Sequence, residues 1–500
     1  MATVTATAVQ TAKNYIAGAW VAPDGKRTVE RRNPANHDDV VGTVTMSTRD
    51  QARVAIEAAR NALPAWRNTP PPVRGKILFK AWQLMTEQID ELAAILTREE
   101  GKTINESKGE ILRSINVLEF MAGEGRRIIG ETLPSELPKN LAYTLKQPLG
   151  VVAVITPWNF PICIPVWKIA PALITGNTVV FKPATITSFT GMALVKIFEQ
   201  AGVPAGVLNM VVGSGGEVGD ELIKHRDIKA ISFTGSTEIG SKLYAEGAAG
   251  LKKVQCEMGG KNPIVVMEDA DLDLAVASTV QGAFGSTGQR CTATSRAVVI
   301  DSIADEFVKR VKAAAEKLVV GDGSKPGVQM GPSVDQAQFN TVLEYLKIGK
   351  DEGAKLVLGG NKLTGGEYDK GMFVQPTIFD HVKTTMRLAQ EEIFGPVLSV
   401  IRVKDYEEAL RVANDCAYGL SSSIYTQDVS RFFDFAERVE TGMTHVNSPT
   451  TGGEAHIPFG GMKGTGVGVR EQGTVAIDFF TEIKAVYVDF TGKKRESNIY

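Results

Sequence analysis

Histidine and cysteine are scarce in this chain, with five and four residues among 500. Cys163, Cys256, Cys291 and Cys416 form no CxxC pair and no Cys/His spacing suited to zinc, so no metal site is expected. No apolar run approaches the ~20 residues needed to cross a bilayer. The start, Met1 to Gln10, lacks the basic residues and continuous apolar block of a secretion signal. Charge of neither sign dominates: 55 Lys and Arg stand against 57 Asp and Glu, net −2, which leaves no basic face for nucleic acid. Repeats and low-complexity segments are lacking too. These absences favour a small-molecule partner over nucleic acid or a membrane, and a reducing, cytoplasmic setting for the free thiols.

What is present is a long α/β pattern. With 43 % apolar residues the chain exceeds one small core and suggests two or three domains. Short strands and turns fill 14–46. Helical patterns follow over 48–65, 73–100 (interrupted from the first by Pro70-Pro71-Pro72) and 107–127, then an exposed strand over 141–146. From Gly150 strands alternate with helices. Strands are read at 151–155, 178–181, 207–212 and 230–233, and helices at 167–173, 188–201 and 218–225. The near-continuous β-branched run 151–155 marks a strand buried on both faces. A second series begins at 264–266, with helices over 272–284, 302–318, 336–351 and 406–414 and strands over 355–358, 397–403 and 422–425. Repeated β-α units imply parallel sheets, which place ligands at the carboxyl ends of their strands. An edge strand over 482–490 and a solvated tail at 492–495 close the chain.

The chemistry centres on Gly288-Gln289-Arg290-Cys291, a thiol after a glycine turn and just before a β-type run. Taken alone, Cys291 reads as a small buried hydrophobe; its surroundings make it a nucleophile candidate. Thr156-Pro157-Trp158-Asn159-Phe160-Pro161 follows the buried strand directly, and Asn159 there offers an amide donor suited to an oxyanion. Lys182 and Thr185, after the next strand, offer a cation and a hydroxyl for a ribose or phosphate. Phe233-Thr234-Gly235-Ser236 ends a third strand in a turn that opens a helix, whose free N–H groups favour phosphate. Gly213-Ser214-Gly215-Gly216-Glu217-Val218-Gly219 resembles the dinucleotide fingerprint, but its third glycine falls one position late, and it is read as a turn near an adenosine. Glu257, flanked by Cys256 and Met258 and followed by Gly259-Gly260, is placed to be desolvated and to act as a general base.

With TPWNFP from Thr156, FTGS from Phe233, EMGGKNP from Glu257, GQRC from Gly288, EEIFGPV from Glu391 and PFGGMK from Pro458, the chain resembles the aldehyde dehydrogenase superfamily over nearly its whole length. The resemblance implies two doubly wound α/β domains plus a small β oligomerisation element. The cofactor-binding domain would span 1–130 and 150–257, the catalytic domain 258–470, and the element 131–149 and 480–495, joining subunits into a homodimer or homotetramer. It makes Cys291 the nucleophile, Glu257 the base, Asn159 with the Cys291 N–H the oxyanion hole, and Lys168 with Glu471 a proton relay. Implied contacts to NAD or NADP are Ile155, Thr156, Pro157, Trp158, Lys182, Thr185, Gly215, Gly219, Phe233, Thr234, Gly235, Ser236, Ile239, Glu392 and Phe394. The product would be a carboxylic acid, released from a thioester on Cys291. Acylating relatives that pass the thioester to coenzyme A typically lack the base, so Glu257 favours hydrolysis; a non-catalytic structural protein on this fold would lack the thiol or the base.

Two departures refine the expectation. Many NAD-specific members carry Glu three residues after the motif lysine; here that position is Thr185, which does not repel a 2′-phosphate, so NADP is expected to be accepted and preferred. Bacterial succinate-semialdehyde dehydrogenases often carry Arg where this chain has Trp167. The segments GAFGSTGQRCTATSR, WKIAPAL and MAGEGRR look closest to 2,5-dioxovalerate (2-oxoglutarate semialdehyde) dehydrogenases. Phe120, Trp167 and Phe459 would line the substrate tunnel, with Arg113 or Arg296 as carboxylate partner. Succinate semialdehyde and a broad range of aliphatic or aromatic aldehydes are the alternative substrates.

Overall fold

A computed structural model of the chain describes residues 10–494. Residue 495, the last of the expected oligomerisation element and of the expected tail, lies outside the described residues, as does most of the stretch read above for a secretion signal.

The first sheet has eight strands in the order Gly466–Val467, Lys253–Glu257, Ile228–Thr234, Val151–Ile155, Thr178–Lys182, Leu208–Met210, Asn14–Ile16 and Ala19–Val21. The five from Lys253–Glu257 to Leu208–Met210 run parallel. Parallel neighbours need crossovers, and helices such as Cys163–Ile174 and Ser188–Gln200 make them, while Arg49–Asn68 packs on the sheet. Val151–Ile155 is therefore buried along its whole length, and so is every residue of Cys163–Ile174. The second sheet has seven strands in the order Lys355–Leu358, Thr377–Asp380, Val397–Val403, Thr294–Ile300, Asn262–Val266, Ser421–Tyr425 and Met443–Val446. All its pairings are parallel except the one at the Lys355–Leu358 edge. Strand Thr481–Asp489 pairs antiparallel with Asn140–Pro148 over nine residues, and Thr132–Leu133 completes a separate three-stranded sheet.

The α/β architecture is the one expected, with differences that have local causes. The helix anticipated over 73–100 is two, Pro71–Glu87 and Ile89–Glu100, with Gln88 leaving helical geometry at φ −105° and ψ 17°. The apolar stripe runs across the break and no Gly or Pro marks it. Strand Lys253–Glu257 is not among the expected strands, since Lys253, Gln255 and Glu257 interrupt an apolar run. The latter two are buried, and Gln255 accepts from Ser232 Oγ at 3.0 Å. Strands Thr377–Asp380 and Met443–Val446 and helix Val429–Arg438 also went unread. Gly466–Val467, inside the span 258–470, pairs with Cys256 and Glu257 in the first sheet, so the two halves of the chain meet at Glu257.

Candidate active site

The parallel registers align the carboxyl ends of three neighbouring strands: Ile155 lies opposite Phe233, and Thr234 opposite Glu257. The loops leaving that edge meet the Cys291 loop around a cavity of about 250 Å³. Of the anticipated site residues, Pro157, Trp158, Asn159, Thr234, Gly235, Ser236, Cys291, Glu392 and Phe394 line it. Ser236 caps helix Thr237–Ala249, accepting from the Ile239 N–H, so a helix N-terminus opens on this cavity.

Cys291 differs from its three counterparts. Cys163 and Cys256 are buried, with thiols pushed up to about 12 by burial, and neither reaches the cavity. Cys416 is half-buried, away from the cavity lining. Cys291 faces the cavity; burial raises its thiol pKa too, the charges of Glu257 and Glu392 adding to this and that of Arg113 opposing it. Its loop is held in place from both sides. Ser286 and Thr287 adopt left-handed backbone (φ 50° and 58°), rare for non-glycine residues. Gly288 follows at φ 67°, where a Cβ would stand 2.1 Å from the Gly395 carbonyl oxygen, so only glycine fits. After the thiol, Asn262 Nδ2 donates to the carbonyls of Cys291 (2.8 Å) and Ala293 (2.9 Å).

Asn159 reaches this loop directly: its Nδ2 donates to the Gln289 carbonyl at 3.0 Å. Its own main chain is fixed by a buried ion pair. Lys102 Nζ lies 2.6 Å from Glu110 Oε2 and donates to the Asn159 carbonyl at 2.6 Å, 4.2 Å from the Phe160 ring centre. Glu110 Oε1 accepts from the N–H groups of Ile162 (2.8 Å) and Cys163 (3.1 Å). Losing one member of such a pair costs about 3–5 kcal/mol, because the other charge is left uncompensated. Lys102 and Glu110 thus act as a unit that sets the path of the Asn159 loop.

Glu257 is 3 % exposed, and one carboxylate oxygen, Oε1, has no hydrogen-bond partner. The other lies against backbone: a Cβ at Gly460 would stand 2.9 Å from Oε2, and one at Gly466 3.2 Å. Burial holds its pKa well above the usual carboxylate range and Glu471 adds to the rise, against Lys168, Arg470 and the Gly461 N–H. Lys168 pairs with Glu471, both nearly fully buried, and donates to Ser232 Oγ at 3.0 Å. The anticipated relay pair is thus in contact and adjoins Glu257.

On the opposite wall, Glu392 Oε1 accepts from the Gly260 N–H at 2.8 Å, and burial lifts its pKa to about 7. Phe394, at φ 57°, packs edge-on against Trp158 with ring centres 5.4 Å apart. Gln338 Nε2 holds this loop through the Ile393 (3.0 Å) and Phe394 (2.9 Å) carbonyls. Lys182 is 7 % exposed, its pKa lowered to about 8 by burial, and a Cβ at Gly219 would stand 4.0 Å from its stem. Thr185 donates to the Gly213 carbonyl at 3.3 Å, and nothing crowds Gly215. These residues form one cluster at the ends of Thr178–Lys182 and Leu208–Met210. Thr156 is buried and its hydroxyl has no partner.

Several anticipated residues do not line this cavity. Phe233 is buried, its ring under Gly235 and Gly240, and Ile155 belongs to the same core rather than to the cavity wall. Ile239 is half-exposed on the outer side of its helix. Arg296 is not available to a substrate: 1 % exposed, it donates to the carbonyls of Lys261 (2.9 Å), Val412 (3.0 Å) and Ala413 (2.9 Å) and fastens the second sheet internally. Arg113, by contrast, faces the tunnel residues. Trp167 and Phe459 have ring centres 5.2 Å apart, and Phe120 and Arg113 line a second cavity of about 750 Å³ on their far side. Sequence reasoning missed Lys102, Glu110, Asn262, Gln338 and Gln472. Asn262 alone had a signal, its place in EMGGKNP; the others sit in ordinary helical or loop sequence.

A thiol and an amide donor on one cavity, with a buried, unpartnered carboxylate whose charge acts on that thiol, at the carboxyl edge of a parallel sheet, define an enzyme that works through covalent chemistry on an electrophilic carbon. The chain belongs to the aldehyde dehydrogenase family, whose sequence profile matches residues 20–486. It is 46 % identical over 475 residues to the alpha-ketoglutaric semialdehyde dehydrogenase of Bacillus subtilis, covering 95 % of this chain and 97 % of that one. It is 45 % identical to the 2,5-dioxopentanoate dehydrogenase of Saccharolobus solfataricus, covering 95 % and 99 %. Among solved structures, an E. coli NADP dependent enzyme superposes with a TM-score of 0.92 at 39 % identity, covering 96 % of this chain and 98 % of that one. A putative methylmalonate-semialdehyde dehydrogenase from Sinorhizobium meliloti 1021, complexed with NAD, gives 0.95 at 36 % identity, covering 97 % and 99 %. The protein is an oxidoreductase that acts on aldehydes.

Proposed function

We propose that this enzyme oxidises 2-oxoglutarate semialdehyde (2,5-dioxovalerate) to the dicarboxylic acid, with NADP preferred over NAD. The observation that carries the catalytic reading is the buried, unpartnered Glu257 carboxyl in the same electrostatic environment as the Cys291 thiol. The substrate reading is supported by the relatives named above and by the Arg113 guanidinium, which lies against the Trp167 and Phe459 rings at the wall of the larger cavity.

The cavity, with the Lys182–Thr185 cluster at the neighbouring strand ends, fits a nicotinamide dinucleotide by its donor set: the Ser236-capped helix N-terminus would hold phosphate, Lys182 and Thr185 the adenosine ribose, and Glu392 the nicotinamide ribose. When bound, the nicotinamide supplies the hydride acceptor. Cys291 attacks the aldehyde carbon, and the oxyanion that forms receives hydrogen bonds from Asn159 Nδ2 and the Cys291 N–H. The carbon is left as a thioester on Cys291. Ionised Glu257 takes a proton from water, the resulting hydroxide releases the acid, and the Lys168–Glu471 pair returns the proton toward solvent. Asn159→Ala is expected to lower kcat by about 10²- to 10³-fold, the scale for one oxyanion donor; near-normal turnover in a steady-state assay would remove Asn159 from this role.

Reduced-cofactor formation should be followed with 2,5-dioxovalerate, succinate semialdehyde, glutaraldehyde, propanal and benzaldehyde, each with NADP and NAD. Highest kcat/KM for 2,5-dioxovalerate with NADP is expected. Equal use of neutral or aromatic aldehydes would leave the chemistry and remove the substrate. Thr185→Glu places a carboxylate where a 2′-phosphate would lie, and like charges in contact cost several kcal/mol. The NADP/NAD ratio of kcat/KM should fall at least about tenfold in that variant, and an unchanged ratio would count against Thr185 as the determinant.

Assembly as a homodimer or homotetramer is supported by the small sheet. Its edge strand Thr481–Asp489 presents Ile483 and Tyr487 at 71 % and 73 % exposure, with Leu141 and Leu145 also exposed on its partner strand. An apolar, unpaired edge of this length is normally covered. A cytoplasmic location is supported by the dependence on a free thiol. No helix among the described residues is long and apolar enough to cross a membrane.

A further inference from the structure

Helix Ile104–Glu124 carries Arg113 toward the aromatic pair of the tunnel. Its guanidinium carbon lies 5.5 Å from the Trp167 ring centre and 5.8 Å from that of Phe459. One terminal nitrogen donates to Gln472 Oε1 at 3.3 Å. The Arg113 Nε–H is buried and has no partner, and neither has the Nε2 amide of Gln472. Two buried donors therefore stand side by side with no acceptor.

The fully buried cations of this region are compensated, whereas Arg113 is only half-buried. Lys102 has Glu110 at 2.6 Å, Lys168 has Glu471, and Arg296 has a ring of carbonyls. Arg113 forms no ion pair among the described residues, although Glu119 and Glu454 line the same outer cavity. The backbone is shaped around this exception. Gln472 adopts φ 60°, rare for a residue with a side chain, and is itself fully buried. A Cβ at Gly453 would stand 2.8 Å from an Arg113 terminal nitrogen, so glycine leaves room for the guanidinium. Arg113 is also close enough to Cys291 for its charge to favour the thiolate. A buried donor pair that native packing leaves unpaired points to a ligand acceptor. An anionic acceptor would pair with the half-buried guanidinium, and one with more than one oxygen would reach both the Arg113 Nε–H and the Gln472 amide.

We infer that Arg113 and Gln472 form the binding site for the acid end of the substrate, Arg113 taking the carboxylate and the Gln472 amide the adjacent 2-oxo oxygen or second carboxylate oxygen. This rests on the proposed substrate class and names the residues that select it. Gln472 also positions Arg113 through the bond to its Oε1, so the two act together. Their place beside Glu471 puts acid recognition one residue from the proton relay.

The test compares wild type, Arg113→Met, Arg113→Lys and Gln472→Leu on 2,5-dioxovalerate, succinate semialdehyde and butanal. Arg113→Met should lose on the order of 100-fold more in kcat/KM on both acids than on butanal, mainly in KM, the smaller loss on butanal reporting the missing charge near Cys291. Arg113→Lys keeps the charge without the fork and should fall between. Gln472→Leu should lose more on the oxo acid than on succinate semialdehyde. Equal losses on butanal and the acids would make Arg113 structural and overturn the inference, as would full retention on the acids. A wild type with no preference for acid aldehydes would overturn the substrate reading and this inference together, whereas a preference that survives Arg113→Met overturns this inference alone. A measurement on the unaltered enzyme stands beside these. Glutarate should slow alkylation of Cys291 by iodoacetamide and 1,5-pentanediol should not; equal effects of the two would overturn the site.

Discussion

Cys291→Ala is expected to lower aldehyde oxidation by about 10⁴- to 10⁶-fold in kcat, the scale seen when a covalent nucleophile is removed. The change deletes one sulfur at the edge of a cavity and leaves the hydrogen bonds of its carbonyl to Asn262 in place. The fold should therefore persist, with a melting temperature close to wild type. Reduced-cofactor formation measured alongside circular dichroism separates loss of chemistry from loss of structure. Substantial activity in a folded Cys291→Ala enzyme would sink the thioester mechanism on Cys291, because Cys163 and Cys256 are buried away from the cavity and offer no substitute.

Glu257→Gln should split the reaction in two. Steady-state kcat is expected to fall by about 10²- to 10⁴-fold, the range for losing a general base. Thiol attack and oxidation still proceed, so the first turnover should release about one equivalent of reduced cofactor per active site and leave an acylated Cys291 visible by intact-protein mass spectrometry. The pH dependence follows from the raised pKa of Glu257. Below that pKa the carboxyl is protonated and accepts no proton, so thioester hydrolysis should rise with pH through it in the wild type and lose that rise in the variant. Loss of the burst along with turnover would place Glu257 in thiol activation instead. Isosteric glutamine suits the site, since the carboxyl lies against backbone at Gly460 and Gly466 where a larger group has no room.

Much of this site is readable along the chain. Cys291 stands between a glycine turn and strand Thr294–Ile300, Asn159 follows a strand apolar enough to be buried on both faces, and Glu257 sits among apolar neighbours. Each is a local pattern, and a period of two or a turn residue is enough to expose it. The strand that carries Glu257 escaped notice because its polar residues are satisfied from elsewhere: Ser232 Oγ donates to Gln255, and Gln255 Nε2 donates to the Val469 carbonyl, a partner 214 positions away. Arg113 and Arg296 looked equivalent as carboxylate partners for the same reason. One is taken up by main-chain carbonyls and the other is left with a free donor, a difference that exists only once distant segments have packed.

The sequence by itself determined the α/β class, most of the succession of strand-helix units and which three side chains carry the proposed chemistry. Those follow from periodicity, from turn residues at strand ends and from residue chemistry, all of which act over a few neighbours. Tertiary structure decided the rest: that Lys102 and Glu110 hold the Asn159 loop across 57 positions, that Glu257 is left without a partner, and that Arg113 and Gln472 meet across 359. Desolvation and charge compensation depend on what surrounds a group in space, and in a parallel sheet joined by crossovers those surroundings come from remote parts of the chain.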